Sequence, residues 1–150
     1  MCDPSLQGRR NDMNPPAAAN PAPGPKPNHG AQPAATTSAT ARRQVTELLR
    51  AAGSDLDGVA AVDALLVTSE LVTNAIRHGG GITAFHATLT GDTLRLTVSD
   101  ANPRHPVPHP TARGRPGGYG WPLIQRLTDH VDITPRPDGG KTITTLQRLT

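Results

Sequence analysis

Proline placement divides this chain more sharply than any other feature. Eight prolines lie between Pro4 and Pro33, none occurs from Ala34 to Asn102, and eight more run from Pro103 to Pro137. Proline fixes φ and lacks a backbone N–H, so it interrupts helix interiors and central strands alike. Regular structure is therefore confined to the proline-free window and to what fits between the later prolines. Glycine and proline together exceed a fifth of the 150 residues, and only 35% are hydrophobic. Such averages usually signal disorder, but here they mix a tail with an ordinary domain.

Residues 1–37 show no apolar periodicity and offer Leu6, two methionines and little else to bury. A segment of this kind cannot offset its ordering entropy, so a disordered tail, partly extended as polyproline II, is expected. Residues 38–150 should form one domain. No apolar run approaches the roughly 18–20 residues of a membrane span. Arg9 and Arg10 are not followed by an apolar segment, so no signal peptide is expected. Cys2 is the single cysteine, which excludes a disulfide framework and a multi-cysteine zinc site. A cytoplasmic protein without a membrane partner follows as the expectation. The net charge of +3 is no nucleic-acid footprint, and no basic run alternates with aromatics. Thirteen arginines stand against two lysines, and only Glu47 and Glu70 are glutamates.

Ala41, Val45, Leu48, Leu49 and Ala52 recur at helical spacing, predicting a first helix from Ser38 that stops at Gly53. A second helix should begin near Asp57 or Gly58, with Asp57 as N-cap, and run to about His78, where Gly79-Gly80-Gly81 ends it. Ile82–Thr90 and Thr93–Asp100 then alternate as strands around a Gly91-Asp92 hairpin turn. Residues 101–118 hold five prolines and read as a long loop, of the length that is usually functional. A short helix to about His130 follows, and Val131–Thr134 and Lys141–Leu149 close a final hairpin. This order predicts an α/β two-layer sandwich, with a mostly antiparallel mixed sheet and helices on one face.

Four constellations could carry chemistry. On the second helix Val62, Leu65, Leu66, Ser69, Val72 and Ile76 form a broad apolar face expected to pack on the sheet. Glu70, Asn74, Arg77 and His78 form a separate polar stripe at i, i+4, i+7 and i+8. A solvated face would give such a stripe, but usually from alternating Glu and Lys. This one offers one each of carboxylate, amide, guanidinium and imidazole. An amide oxygen together with phosphate oxygens and water suits Mg²⁺, and a nearby carboxylate can take a proton from an attacking hydroxyl. Asp100 ends a strand at the loop mouth, where it can accept from an exocyclic amine or simply form a turn. Gly117-Gly118-Tyr119-Gly120-Trp121-Pro122 precedes a helix, where glycines permit close approach and free N–H groups face anions. Gly139-Gly140-Lys141-Thr142 enters a strand rather than a helix, so it is a hairpin turn and no Walker motif. Thr142 is expected to present its hydroxyl inside the fold. His86, His105, His109 and His130 lack metal-ligand spacing, and Ser69 and Ser99 lack a nucleophile-elbow context.

In order, these segments resemble one family. Glu70-Leu-Val-Thr-Asn74-Ala-Ile-Arg77-His78-Gly79 resembles the N-box of the histidine-kinase-like, gyrase and Hsp90 type of ATPase (GHKL). More narrowly, it resembles the anti-sigma regulatory serine kinases. Val98-Ser-Asp100-Ala-Asn-Pro103 and Gly118-Tyr-Gly120-Trp-Pro-Leu123 resemble its two glycine boxes, and Gly140-Lys-Thr142 the start of its last strand. The resemblance covers about residues 40–149 and implies a Bergerat-type fold that binds ATP with Mg²⁺. It implies that Asn74 holds Mg²⁺, that Asp100 receives the adenine amine supported by Thr142, and that the Gly118 and Gly120 backbone borders the phosphates. Arg77 and His78 fall in the same ATP site, residues 104–117 form a lid, and Glu70 is the base toward a substrate serine. The implied partners are an anti-anti-sigma antagonist protein and a sigma factor. Dimerisation is common in that family, so a homodimer is a further expectation, although no surface in the sequence specifies one. Ala101-Asn102 departs from the usual x-Gly, Tyr119 replaces an arginine, Trp121 replaces a leucine, and no clear strand precedes the first helix. Three readings therefore stand: a serine kinase that is also an anti-sigma factor, a non-catalytic ATP/ADP-binding switch module, and a small α/β protein whose pocket has lost nucleotide.

Overall fold

The computed structural model describes residues 36–107 and 120–150. Residues 1–35 of the expected tail, most of the expected lid, Gly118 and Tyr119 lie outside the described residues. The described elements run α1 (Ser38–Ala51), α2 (Val59–Arg77), β1 (Ile82–Thr90), β2 (Thr93–Asp100), α3 (Gly120–Leu127), β3 (His130–Pro135) and β4 (Lys141–Arg148).

Local chemistry sets most boundaries. Thr37 caps α1 through a reciprocal pair with Thr40. At its other end Gly53 takes φ +72°. Ser54 N–H reaches Leu49 C=O and Gly53 N–H reaches Arg50 C=O, the two bonds of a Schellman stop. The N-cap of α2 is Gly58 and makes no side-chain cap bond. The expected Asp57 cap is not formed: Asp57 lies one residue before the N-cap, with its N–H on Asp55 Oδ1. Gly80 and Gly81 have positive φ and fold the chain back into β1. Gly91 takes φ +60° in the two-residue β1–β2 turn, at the first central position, where the favoured primed hairpin turns need positive φ.

The sheet order is β1-β2-β4-β3, and every pairing is antiparallel. The expected mixed component is therefore absent among the described strands. One face carries Leu94, Leu96, Val98 and Asp100 of β2 opposite Gln147, Thr145, Ile143 and Lys141 of β4. These eight residues are all buried. A bulge between Ile82 and Ala84 shifts the β1 register. It brings both Ile82 and Phe85 onto that face, an odd spacing that strict alternation forbids. The core joins this face to Val45 and Leu49 of α1, Ala61, Ala64, Val67, Leu71 and Ala75 of α2, and Ile124 of α3. All three helices thus cover one face, and each large aliphatic side chain removed from water contributes about 1.5–3 kcal/mol.

The orientation of α2 differs from the expectation. Its buried residues are Ala61, Ala64, Val67, Thr68, Leu71, Val72 and Ala75. Val62, Leu66 and Ile76, assigned from the sequence to the sheet-facing side, are exposed, as is Val59. The helix is apolar around most of its circumference, so periodicity alone does not choose a side. The choice falls to the alanines, whose small side chains allow the helix backbone to approach its neighbours. The same apolarity makes α2 long and apolar enough to cross a membrane. Asp63 and Glu70 interrupt it and conceal that property from a run-length reading.

Candidate functional site

The C-terminal half of α2 organises two clusters. The first surrounds Asp100. Antiparallel register sets Asp100 opposite Lys141 and Ser99 opposite Thr142, and neighbouring residues of a strand face opposite ways. Lys141, not Thr142, therefore shares the helix-facing side with Asp100. The ammonium of Lys141 donates to Asp100 Oδ2 at 2.7 Å, to Asp100 Oδ1 at 2.9 Å and to the Asn102 carbonyl at 2.9 Å. Their side chains are 5% and 3% exposed, so this is a buried ion pair.

The backbone around the pair is drawn tight. Asn102 N–H donates to Asp100 Oδ1, while the Asn102 side-chain amide donates to the His78 carbonyl at 2.8 Å. Ala101 N–H donates to the Gly79 carbonyl at 2.9 Å. A Cβ on Gly79 would stand 2.5 Å from Asp100 Cγ and Oδ2 and 2.7 Å from the Ala75 carbonyl. Gly79 is thus glycine for space: its backbone lies directly against the carboxylate. A Cβ on Gly140 would likewise overlap the Asp100 carbonyl.

The second cluster is the N-box stripe with the start of α3. Glu70 and Asn74 are both half-buried and lie one helical turn apart. A Cβ on Gly120 would overlap Glu70 Oε2 and stand 3.5 Å from Asn74 Oδ1. The first residue of α3 thus rests on both side chains, and Glu70 is well placed to complement the positive end of that helix. Among the described residues, no hydrogen bond engages the Glu70 carboxylate or the Asn74 amide. The clusters are joined through backbone, since Gly79 N–H donates to the Asn74 carbonyl.

The remaining expected site residues are placed as follows. Arg77 and His78 are exposed at the C-terminal end of α2. His78 enters the Asp100 cluster through its carbonyl. Gly118 lies outside the described residues. Thr142 is on the far face of the sheet, where its hydroxyl meets Ser99 Oγ at 2.8 Å and Ser99 Oγ also accepts from Arg136. The expectation that Thr142 supports the Asp100 pocket is corrected by the strand register: Lys141 stands there. The four-residue motif marks a loop entering a strand and does not by itself say which face each of its residues takes. A signal was present in composition, since Lys141 is one of two lysines among fifteen basic residues.

Beside Thr142, Arg136 pairs with Asp138 at 3.0 Å. That contact holds the Asp138 carboxyl below its usual range and raises Arg136, with Gly140 N–H adding to the effect on Asp138. No group of three or more His, Cys, Asp or Glu side chains that could hold a metal occurs among the described residues. A surface groove of about 380 Å³ lies between α1 and β1, lined by Gln44, Glu47, Leu48, Ala51 and Ala87. None of the expected site residues lines it.

The donor set can be tested against a nucleotide. A carboxylate oxygen has room for about two hydrogen bonds. Among the described residues Asp100 Oδ1 takes two, from Lys141 and Asn102, and Oδ2 takes one, from Lys141, with the Gly79 backbone packed beside it; the carboxylate is an acceptor of the kind an amine donor needs. Asn74 offers a hard amide oxygen of the kind Mg²⁺ accepts alongside phosphate oxygens and water. The residues present fit both groups.

Comparison with known proteins gives the following. A family model described as a histidine kinase-like ATPase domain matches residues 31–147. Similar solved structures include the blue-light activated histidine kinase of Erythrobacter litoralis EL346, at 20% identity and TM-score 0.44, covering 75% of this chain and 41% of that one. The histidine kinase domain of the same protein gives 20% identity and TM-score 0.45, covering 80% of this chain and 70% of that one. The chain thus spans less than half of the first structure. No curated protein matches it.

Proposed function

Because the chain belongs to the histidine kinase-like ATPase domain family, we propose that it is an ATP-binding regulatory protein of the anti-sigma factor serine kinase type. In this reading it acts in the cytoplasm, phosphorylates an anti-anti-sigma antagonist and sequesters a sigma factor, in a chain that can also pair as a homodimer. The observation that carries the reading is the packing of Gly120 on Glu70 and Asn74. It joins the N-box to the second glycine box around two oxygen-bearing side chains that no hydrogen bond engages among the described residues.

Each residue then has a defined task. The Asp100 carboxylate accepts the adenine amino group. The Asn74 amide oxygen would hold Mg²⁺, which when bound neutralises phosphate charge. Gly120, without a side chain, lets the α3 N-terminus approach the phosphates. Glu70 accepts the proton from the serine hydroxyl as its oxygen bonds to the γ-phosphorus. The bond from that phosphorus to the bridging oxygen breaks, and ADP leaves with that electron pair. Such a transfer is accelerated mainly by positioning and charge stabilisation.

The test is phosphate transfer from labelled ATP with Mg²⁺ to a cognate antagonist. Glu70→Ala should abolish transfer and leave nucleotide binding largely intact. Equal loss of both would remove Glu70 from the role of base. A second reading, an ATP/ADP-binding switch without chemistry, draws on Tyr119 and Ala101-Asn102 at glycine-box positions. Tight nucleotide binding with no transfer to any antagonist would select it.

A further inference from the structure

We propose that the outer edge of β1, with the groove beside it, is a docking site for an extended segment of a partner protein, whose alternate side chains are apolar and include a lysine or arginine. β1 ends the sheet, whose order is β1-β2-β4-β3. Alternate N–H and C=O groups along it therefore point away from β2 and pair with no described strand. Sheet edges are ordinarily guarded by shortness, charge or proline. The opposite edge follows that rule, since β3 has six residues and carries Asp132 and Pro135. β1 does not. Its nine residues include no Lys, Arg, Asp, Glu or Pro, and beyond the bulge at Ile82 and Ala84 its register with β2 is regular over 84–90.

The flank of this strand is also uncovered. Phe85, Ala87 and Leu89 face the helices but are only half-buried, whereas their partners Val98, Leu96 and Leu94 are fully buried. Beside them lies the groove of about 380 Å³, lined by Gln44, Glu47, Leu48 and Ala51 of α1 and Ala87 of β1. A helix and a strand edge bounding one groove is the geometry of strand addition, in which main-chain bonds give affinity and alternate side chains give specificity. Leu48, Ala51 and Ala87 suit apolar side chains of modest size. The Glu47 carboxylate on the same wall has no hydrogen bond or ion pair among the described residues, and Arg43 and Arg50, a turn away on α1, make none with it. It is the charge that a cation on the incoming segment complements. None of these residues belongs to the clusters around Asp100 and Glu70, so the surface is separate from the nucleotide site.

The experiment selects binders to the full chain from a phage-displayed library of random linear peptides, then measures the enriched peptide, synthesised free, by fluorescence anisotropy. Enriched sequences are expected to carry apolar residues at every second position with a lysine or arginine among them. N-methylating the peptide at one alternate set of residues should abolish binding, and at the other set should leave it intact, since only one set turns its N–H to the ladder. This readout needs no protein variant. Glu47→Lys, at an exposed position, should weaken the peptide roughly two- to fivefold, the worth of an exposed ion pair. Ala51→Trp, also at an exposed position, fills the groove and should weaken it further. No enrichment, enrichment at helical spacing, N-methylation effects that do not alternate, or an unchanged affinity in Glu47→Lys each overturns the proposal. A second copy is the other possible occupant: a wild-type dimer by sedimentation, with β1 amides protected from hydrogen exchange only in the dimer, assigns the edge to self-pairing and overturns the proposal as well.

Discussion

The Asp100–Lys141 pair makes a prediction about stability that the adenine-binding role alone does not. If Asp100 served only to meet a ligand, replacing it would change affinity and leave the apo fold intact. The structure instead places it in a bidentate contact with Lys141, with side chains 3% and 5% exposed. Removing one partner strands the other charge in the core, which costs about 3–5 kcal/mol. Asp100→Leu and Lys141→Met should therefore each destabilise by about that amount. The double variant, which leaves no buried charge, should cost only about 0–2 kcal/mol, since well-packed apolar residues often replace a buried ion pair without loss. Independent effects would sum to roughly 6–10 kcal/mol, so the expected coupling is several kcal/mol and far exceeds the few tenths seen for distant sites. The assay is urea unfolding of the four proteins without nucleotide, followed by far-ultraviolet circular dichroism. Single losses under about 1 kcal/mol, or an additive double variant, would refute the reasoning, because either result means that water already screens the pair.

Four further outcomes are expected. Gly79→Ala must displace Asp100 or the Ala75 carbonyl and should cost about 1–3 kcal/mol as an overpacked site, with a fall in ATP affinity. Gly81→Ala, where φ is +109° and nothing lies within 4 Å, should cost about 1–2 kcal/mol of backbone strain and leave ATP affinity unchanged. Parallel unfolding and calorimetric titrations separate the two. Thr142→Val breaks the bond to Ser99 Oγ on the far face and should cost about 1 kcal/mol with no change in nucleotide binding; a large loss of ATP affinity would return Thr142 to the pocket. The Asp138 carboxyl is held below the ordinary value of 3.8 by Arg136 and Gly140 N–H. Its folded value is depressed, so the stabilisation is complete above the unfolded value and disappears as pH falls through the folded one. A carboxyl-carbon NMR titration should show a midpoint below that of free aspartate, raised in Arg136→Ala.

Elements whose evidence is local were legible in the sequence. The Gly91-Asp92 turn, the Gly53 stop and the change from helical to strand period each depend on a few neighbouring residues, and each was found within a residue or two. The i, i+4 spacing of Glu70 and Asn74 puts them on one stripe whichever way the helix is turned, so that pairing too survives without tertiary information. Asp57 offers a side chain able to cap α2, but the helix begins one residue later, with Gly58 as its N-cap, a choice that local composition does not decide.

What could not be read locally was which face meets what. On α2, Val67, Leu71 and Val72 are buried, and a transfer-energy argument would bury Val59, Val62, Leu66 and Ile76 before any alanine. They are exposed at 77%, 53%, 38% and 49%, while Ala61, Ala64 and Ala75 are packed inside. Burial of a helix depends on the area its whole surface loses, and that grows as backbones approach. Alanine allows that approach to the sheet and to α1 and α3. The same logic explains Lys141. Strand alternation fixes only that Lys141 and Thr142 face opposite ways. Which one faces inward is set by β2 across the ladder, where Val98 and Leu96 must meet the helices. Asp100, two residues beyond Val98, is carried to the same side, and the residue paired with it must be able to accompany a carboxylate into the core. Lysine does so with a charge and three donors, whereas threonine supplies one hydroxyl, so the ion pair follows from the register of the apolar residues beside it.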